Sequence, residues 1–314
     1  MTSVPEAPVP RRRHTGDLVL LAVAVVAVST SAPLIRAAHA PALAIALWRT
    51  TLAVPVMGVV VATRDRAELR RFDPLSRRRT VLAGLLLAGH FATWIPSLSF
   101  TSVASSVTLV CVQPVWVALV ARRRGEHVAP AEWRGIGLAL VGVVLLTGVD
   151  LALTPRALLG DALALLGGIL SALYLVVGAD VRRVTTTSIY STFCYGVAAV
   201  ALLVVCLVGG QPVGGYAGGT WLVFLAITAG PQLLGHTLVN RVVRTLAPTV
   251  ISVAILLEIV GSTLLAWVFF DEVPPVSVWP AAALIAAGVV VVVRASSAGE
   301  AGVPPEVVAG ADPA

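Results

Sequence analysis

Long apolar runs constrain this chain more than any other feature of its sequence. About ten runs of about 18–25 residues are nearly free of charged side chains, and a helix of that length crosses a hydrocarbon layer about 30 Å thick. Only helices and closed barrels satisfy their backbone hydrogen bonds in lipid, so these runs predict membrane-spanning helices. The chain is 58% hydrophobic and 12% charged, whereas a soluble domain has about half and about a quarter. We therefore predict an all-α membrane protein.

The boundaries of the apolar runs define ten predicted spans. They cover residues 17–35, 41–63, 80–99, 101–122, 134–150, 159–179, 186–209, 219–241, 247–270 and 276–294. Residues 1–16 form a predicted N-terminal tail, and residues 295–314 form a tail predicted to be disordered because it is rich in alanine, glycine, proline and acidic residues. The start of the chain resembles a signal peptide, but many hydrophobic segments follow, so we expect an uncleaved first span.

The arginines orient these spans. The chain has 22 basic residues, and none is lysine. If the N-terminus is cytoplasmic, every arginine except Arg36, Arg49 and Arg156 falls in a cytoplasmic loop or tail, which is the bias of the positive-inside rule. We expect a multi-pass protein of the cytoplasmic membrane with both termini in the cytoplasm. This distribution also explains the pI near 10 without a nucleic-acid partner.

The sequence contains an internal repeat with an offset of 144–146 residues. Gly89-His90 in the third span matches Gly235-His236 in the eighth, and Gln113-Pro114 in the fourth matches Glu258-Ile259 in the ninth. We place the repeats at residues 17–150 and 159–294. Each contains five spans, an odd number, so the second must enter the membrane from the opposite side. Inverted five-helix repeats are typical of secondary transporters, whose substrate site lies between the halves near the midplane.

The segment from Arg241 to Val293 resembles the EamA-type family of the drug/metabolite transporter superfamily. The residues that carry the resemblance are Leu246-Ala247-Pro248, Leu257-Glu258, Leu265-Ala266-Trp267-Val268, Asp271-Glu272 and Gly288-Val289, with a weaker copy in the first half around Gln113-Pro114 and Gly125-Glu126. The resemblance implies ten helices, a central cavity, and often export of amino acids, metabolites or drugs. Ile259 stands where the family commonly has proline, so a kink at this point is expected to be lost from the ninth helix.

Glu258 is the first candidate site residue because it lies midway along the ninth span. A carboxylate in a membrane is costly and usually faces a cavity or a partner. Its neighbours on the helix face, Ala254, Gly261 and Ser262, are small, which favours close packing or room for a ligand. Two interpretations stay open. Glu258 binds a cationic group or a proton, or it is a protonated structural residue.

The eighth span carries a polar stripe of Thr228, Gln232, His236 and Asn240 at intervals of four, which places them on one face of a helix. We favour an aqueous path along this stripe over hydrogen bonds between helices, and Asn240 has the further alternative of a place at the cytoplasmic interface. His90 and Trp94 share a face of the third span. The matching positions of His90 and His236 favour a role over simple packing, and histidine chemistry makes proton coupling possible.

Five further residues complete the candidate site. Gln113 is expected to face the same cavity from the fourth span, and Tyr174 is a weaker candidate in the sixth, with Ser29 and Thr30 in the first. Arg49 lies near the start of the second span. We expect its side chain to extend outward to the membrane surface; the alternative is that it binds a substrate carboxylate.

Other chemistries lack support in the sequence. No phosphate-binding loop is present, the three cysteines Cys111, Cys194 and Cys206 lie inside apolar runs, and no metal-ligand or cofactor pattern occurs. We predict no enzyme and no cofactor, but a secondary transporter that exports small amino-acid-like or drug-like metabolites by alternating access. An intramembrane enzyme and a passive channel are the alternatives, and the sequence does not indicate an oligomeric state.

The inverted repeat can be tested by labelling. Cysteines introduced beside Gly16 and beside Gly148 are expected on opposite faces of the membrane, because five spans separate them. A membrane-impermeant thiol reagent should label only the second in intact cells. Labelling of both from the same side would exclude the inverted architecture.

Overall fold

The computed structural model describes residues 12–148 and 154–301 of the chain. Within these residues the regular structure is helical. The helices are Arg12–Ser29, Ser31–Ala37, Ala42–Arg64, Arg66–Leu69, Pro74–Ser97, Val103–Val110, Gln113–Arg123, Pro130–Thr147, Pro155–Arg182, Thr187–Val208, Gly218–Ile227, Thr228–His236, Thr237–Val242, Pro248–Ile255, Leu257–Phe270 and Val278–Ala301.

Ten helical segments are long and apolar enough to cross a membrane, which confirms the predicted fold class. We number them as spans 1–10 in chain order: Thr15–Ala37, Ala42–Arg64, Pro74–Ser97, Ser105–Arg123, Pro130–Thr147, Pro155–Arg182, Thr187–Val208, Gly218–Val242, Pro248–Phe270 and Val278–Ala298. Many large apolar side chains on their outer faces are exposed, as expected where lipid replaces water.

Two predicted boundaries differ most from the structure. Span 3 begins at Pro74 rather than residue 80, because the Asp73 carboxylate accepts hydrogen bonds from the N–H groups of Leu75 and Ser76 and so caps the helix. Hydrogen bonds to this carboxylate lower the pKa of Asp73, and the bond from the Ser76 side chain contributes most. The last helix continues to Ala301, so the tail does not start at residue 295. The rest of that tail, residues 302–314, lies outside the described residues, as do residues 1–11 and 149–153.

Contacts between loops agree with a chain that crosses the layer at every span. At one end, Arg124 after span 4 pairs with Asp180 near the end of span 6 at 3.0 Å. At the other end, the side chain of Arg36 in the last turn of span 1 pairs with Glu272 after span 9. Arg156, the second residue of span 6, donates to the carbonyl oxygen of Ser99 after span 3 at 2.9 Å. If the chain crosses the membrane at every span, the two partners in each of these pairs lie on the same side.

The packing of the spans follows the repeat. Span 2 packs against span 7, and span 5 packs against span 10, so that corresponding helices of the two halves meet. Span 3 packs against span 6 as span 8 packs against span 1. These pairings are those of two five-helix units related by an approximate two-fold axis, which is the arrangement that inverted repeats produce.

Spans 5 and 10 approach each other through small residues. A Cβ atom at Gly135 would lie 2.7 Å from Val292 Cγ2 and 2.8 Å from the Gly288 carbonyl oxygen. Across the interface, a Cβ atom at Gly288 would lie 2.6 Å from the Gly135 carbonyl oxygen. Lipid gives helices no hydrophobic reason to associate, so such close packing is what holds them together.

Four spans are irregular, and this bears directly on the site. Span 1 is interrupted at Thr30, span 4 between Val110 and Gln113, and span 9 at Leu256. Span 8 contains a π-helix from Thr228 to His236. Irregular backbone at membrane depth is tolerated only where protein or a water-filled cavity surrounds it, so these points mark the interior of the bundle.

The interface of spans 5 and 10 generates a stability prediction. Gly135→Ala should destabilise the protein by about 1–3 kcal/mol, because an added methyl group overpacks a tight contact. Thermal unfolding in detergent measures this effect.

Gly137→Ala is the matched control on the same helix, because nothing lies within 4 Å of its added Cβ atom. It should leave stability unchanged or raise it, since alanine favours a helix over glycine. Equal effects of the two substitutions would show that this interface is loosely packed.

Candidate functional site

The interruptions in spans 4 and 9 place two candidate residues at equivalent points of the repeat. Gln113 is the first residue of the second half of span 4 and is 9% exposed. Glu258 is the second residue of the second half of span 9 and is half-buried. Both lie near the middle of their spans. A carboxylate in the first turn of a helix is stabilised by the partial positive charge of the helix N-terminus.

Proline explains one interruption but not the other. Pro114 has no N–H group, and its ring clashes with the carbonyl group of Val110, where the first half-helix ends. Span 9 is interrupted at the equivalent place although Ile259 replaces the proline; its N–H group donates to the carbonyl oxygen of Leu256 at 3.3 Å. The expectation that the kink is lost at Ile259 is therefore wrong.

Small residues beside Glu258 pack against span 1. A Cβ atom at Gly261 would clash with Ser29 Oγ, and the Ser262 hydroxyl donates to the Ser29 carbonyl oxygen at 2.8 Å. These contacts join the interrupted segments of spans 1 and 9. Among the described residues, the Glu258 carboxylate accepts no hydrogen bond from the protein.

Arg49 is buried inside the bundle, with 2% of its surface exposed. The prediction that its side chain extends outward is wrong. Its Nε donates to Gln232 Oε1 at 2.9 Å, and its Nη1 lies 3.4 Å from Ser31 Oγ. The guanidinium carbon lies 4.6 Å from the centre of the Phe91 ring, a cation–π contact. We call Arg49, Gln232, Ser31 and Phe91 the Arg49 cluster. Glu258 is within electrostatic range of Arg49, although no direct ion pair joins them.

The two repeat-related histidines lie beside this cluster. His236 meets the Phe91 ring edge to face at 5.9 Å between ring centres. His90 stacks on Trp94 at 5.7 Å, and its Nδ1 donates to the carbonyl oxygen of Gly167 in span 6 at 2.9 Å. The Trp94 Nε1 group is buried without a hydrogen-bond partner in the described part of the chain. The structure thus brings Arg49, Gln232, both histidines and Trp94 into one continuous group.

Asn240 belongs to a second group, the Asn240 cluster, which consists of Tyr174, Ser191, Tyr195 and Asn240. Its Oδ1 accepts a hydrogen bond from Tyr174 at 2.7 Å, and its Nδ2 lies 3.2 Å from both Ser191 Oγ and Tyr195 Oη. Asn240 is 2% exposed, so its side chain is buried between helices although it lies close to the end of span 8. These bonds join spans 6, 7 and 8, which favours interhelical hydrogen bonding over an aqueous path at this residue.

The residues of the polar stripe on span 8 do not share one environment, because each bonds a different partner. Thr228 Oγ1 donates to the carbonyl oxygen of Phe224 in its own helix at 2.7 Å, while Gln232 bonds Arg49 and Asn240 bonds Tyr174. The π-helix widens the turn over Thr228–His236, and such segments are frequent at functional sites. A regular spacing of four in the sequence did not predict this irregular backbone.

Sequence reasoning missed four residues of these two clusters: Ser31, Phe91, Ser191 and Tyr195. Phe91 follows His90 directly, but an apolar ring in an apolar span carries no signal of its own. Ser191 and Tyr195 are spaced by four on span 7, and that polar spacing was available as a signal.

A cavity of about 410 Å³ lies apart from both clusters. It lies between the second half of span 1 and the second half of span 9, and its lining is almost entirely apolar. The lining residues are Thr30, Pro33, Leu34, Ala37, Leu265, Phe269 and Phe270. It is therefore not the polar site formed around Arg49.

Comparison with known proteins identifies the family. A model of the EamA-like transporter family matches residues 15–148 and residues 158–294, one match for each repeat. The chain belongs to the EamA-like transporter family. The suspected resemblance is confirmed, and an EamA-like protein with ten spans is a multi-pass membrane protein of a transporter family. No curated protein matches the sequence.

A solved crystal structure has the same fold as this EamA-like chain. It aligns with a TM-score of 0.76 over 91% of this chain and 99% of its own, at 23% sequence identity. Identity at that level shows the fold and says nothing of the substrate.

The Asn240 cluster generates a prediction about stability. A double-mutant cycle of Tyr174→Phe and Asn240→Ala should give a coupling energy of about 0.6–1.7 kcal/mol, the range found for hydrogen bonds between membrane helices. Reversible unfolding in mixed micelles measures each variant. Tyr216→Phe, which alters a loop tyrosine, serves as the control partner and should show no coupling with Asn240→Ala. No coupling for the first pair would mean that the hydrogen bond adds nothing to stability.

Proposed function

We propose that this EamA-like transporter exports small organic metabolites, amino-acid-like or drug-like, across the cytoplasmic membrane by alternating access. The proposal rests chiefly on the two interrupted spans that correspond in the repeat. Interrupted helices at mid-membrane, one in each half, commonly form the substrate site of secondary transporters. Here they carry Gln113 and Glu258.

The Arg49 cluster supports a site at the same depth. Arg49, Gln232, His236, His90 and Trp94 are drawn from spans 2, 3 and 8, which belong to both halves of the repeat. Alternating access requires the halves to move against each other around such a shared site. Polar groups are costly within a membrane, so their concentration here favours a role with solutes.

We assign Glu258 to the binding of a cationic group or a proton. It has no protein hydrogen-bond partner among the described residues, and helix N-terminal charge stabilises its ionised form. The histidines His90 and His236 extend this proposal to proton coupling, because imidazole exchanges protons near neutral pH. The Asn240 cluster, which includes Tyr174, would close the cytoplasmic side of the path.

The orientation is part of the proposal. Both termini are placed in the cytoplasm because the arginine-rich loops lie on that side by the positive-inside rule. The ion pair of Arg124 with Asp180 would then be cytoplasmic, and that of Arg36 with Glu272 external.

The role of Glu258 can be tested in proteoliposomes. Glu258→Gln should abolish most saturable flux of an accepted solute while leaving insertion and folding intact, because the amide is nearly isosteric but carries no charge and exchanges no proton. Substrates are first found by an accumulation and resistance screen of cells that express the chain. Glu126→Gln, in the loop after span 4, is the matched control and should retain flux. Wild-type flux in Glu258→Gln would remove the assigned role.

Imposed pH gradients test proton coupling with the same vesicles. Flux should rise when the gradient drives protons against the exported solute, and this response should vanish in Glu258→Gln. Flux that ignores the gradient would eliminate the coupling role of the histidines. Flux that never saturates would indicate a channel instead, and turnover in detergent without sealed vesicles would indicate an enzyme.

A further inference from the structure

Arg49 holds a positive charge in the bundle interior without a directly bound carboxylate. Its partners in the described residues are the neutral oxygens of Gln232 and Ser31 and the face of the Phe91 ring. A guanidinium group offers five N–H donors, so these neutral partners leave donors to spare. A buried charge is normally paired, because losing its water is expensive. Glu258 is the nearby carboxylate, but it makes no hydrogen bond to Arg49 in the described residues. Arg49 therefore keeps N–H donors free for the anionic group of a ligand.

Gln232 provides a second free donor at the same place. Arginine only donates hydrogen bonds, so Gln232 must turn its carbonyl oxygen toward Arg49. Its Nε2 group then makes no bond to Arg49, and it is buried without a partner among the described residues. Gln232 is fully buried, so this donor is shielded from bulk solvent. Buried donors without partners are rare in native structures and call for an explanation.

The backbone around Gln232 is irregular in the same place. Gln232 lies within the π-helix Thr228–His236, a form that is less stable than an α-helix and occurs often at functional sites. The wider turn brings Gln232 to Arg49 of span 2. Two donor groups thus converge where the helix departs from regular geometry.

We propose that Arg49 and Gln232 bind the carboxylate group of a zwitterionic substrate of the α-amino acid type. The carboxylate would pair with the guanidinium N–H groups and accept a hydrogen bond from Gln232 Nε2. Guanidinium and carboxylate groups match in planar, two-point geometry. The ammonium group of the same substrate would face Glu258, whose helix packs through Gly261 and Ser262 on Ser29, two residues before Ser31 of the Arg49 cluster. This inference rests on the proposed transport function and narrows its substrate class.

The charge pattern favours a zwitterion over a simple cation. A cationic drug would satisfy Glu258 but would leave the donors of Arg49 and Gln232 unpaired beside a second positive charge. A zwitterion satisfies both poles and brings no net charge into the membrane, where net charge is costly.

The test compares an α-amino acid with its own amide, which keeps the ammonium group and the side chain but loses the carboxylate charge. Binding is measured by thermal stabilisation of the full-length protein in detergent, and transport is measured by counterflow in proteoliposomes, over a panel of such pairs. The wild-type protein should bind the preferred acid about 10- to 100-fold more tightly than its amide, the range expected for a hydrogen bond to a charged group.

Two variants assign this preference to the cluster. Gln232→Glu places a carboxylate against Arg49, so the protein remains paired internally but the substrate carboxylate is displaced. Arg49→Lys keeps the charge but loses the two-point geometry. Both should lower the affinity for the acid toward that for the amide and leave the amide affinity unchanged. Gln211→Glu makes the same chemical change in the loop after span 7 and should keep the full preference.

The outcomes separate this inference from the proposed function. Equal binding of acid and amide by the wild-type protein, or equal loss of both in the two variants, would overturn the carboxylate assignment. Saturable transport of amines or neutral solutes without any carboxylate would overturn it too, while leaving the transporter function intact. Arg49-dependent binding of the acid without transport would support the assignment and contradict the transport proposal.

Discussion

In a hydrocarbon layer, every backbone N–H and C=O group must find its partner within the protein, and the rest of this structure depends on that constraint. Regular helices meet it automatically, which is why the ten spans are long apolar helices with only local irregularities. Interrupted segments meet it only inside the bundle. The interruptions at Thr30 and Leu256 accordingly pack against each other through Ser29, Gly261 and Ser262. Irregularity is thus confined to the region where a solute could be enclosed.

The internal repeat places interrupted helices at corresponding points of the two halves. Spans 4 and 9 are interrupted at corresponding places, yet only span 4 has a proline to account for it. The break in span 9 coincides with the i−3 hydrogen bond of Ile259 to Leu256. The same local geometry therefore occurs in both halves, with a proline in only one of them. The residues at the two breaks have also diverged, since one half carries an amide and the other a carboxylate.

Polar groups in the interior fall into two clusters with different characters. The Asn240 cluster is a closed set in which the side-chain oxygen and nitrogen of Asn240 both have partners. The Arg49 cluster is open, because the guanidinium group has only neutral partners and Gln232 keeps a free donor. A satisfied cluster holds helices together, whereas an unsatisfied one calls for an explanation. That contrast, more than polarity itself, is the reason why we propose a ligand at the Arg49 cluster and a structural role for the Asn240 cluster.

The class of fold, the number of spans and the internal repeat could be predicted from residue types alone, because the length and hydropathy of a span must match the thickness and low polarity of the bilayer. Glu258, Gln113 and the histidines could be picked out as well, since charge and polarity stand out in an apolar span. The direction of the Arg49 side chain and the partners of Asn240 could be known only once the helices were packed together. A side chain near a membrane surface can reach outward or inward with little difference in local pattern, and its direction depends on partners such as Gln232 that lie far away in the chain. The π-helix and the break beside Ile259 were likewise beyond local patterns, because contacts between helices fix them.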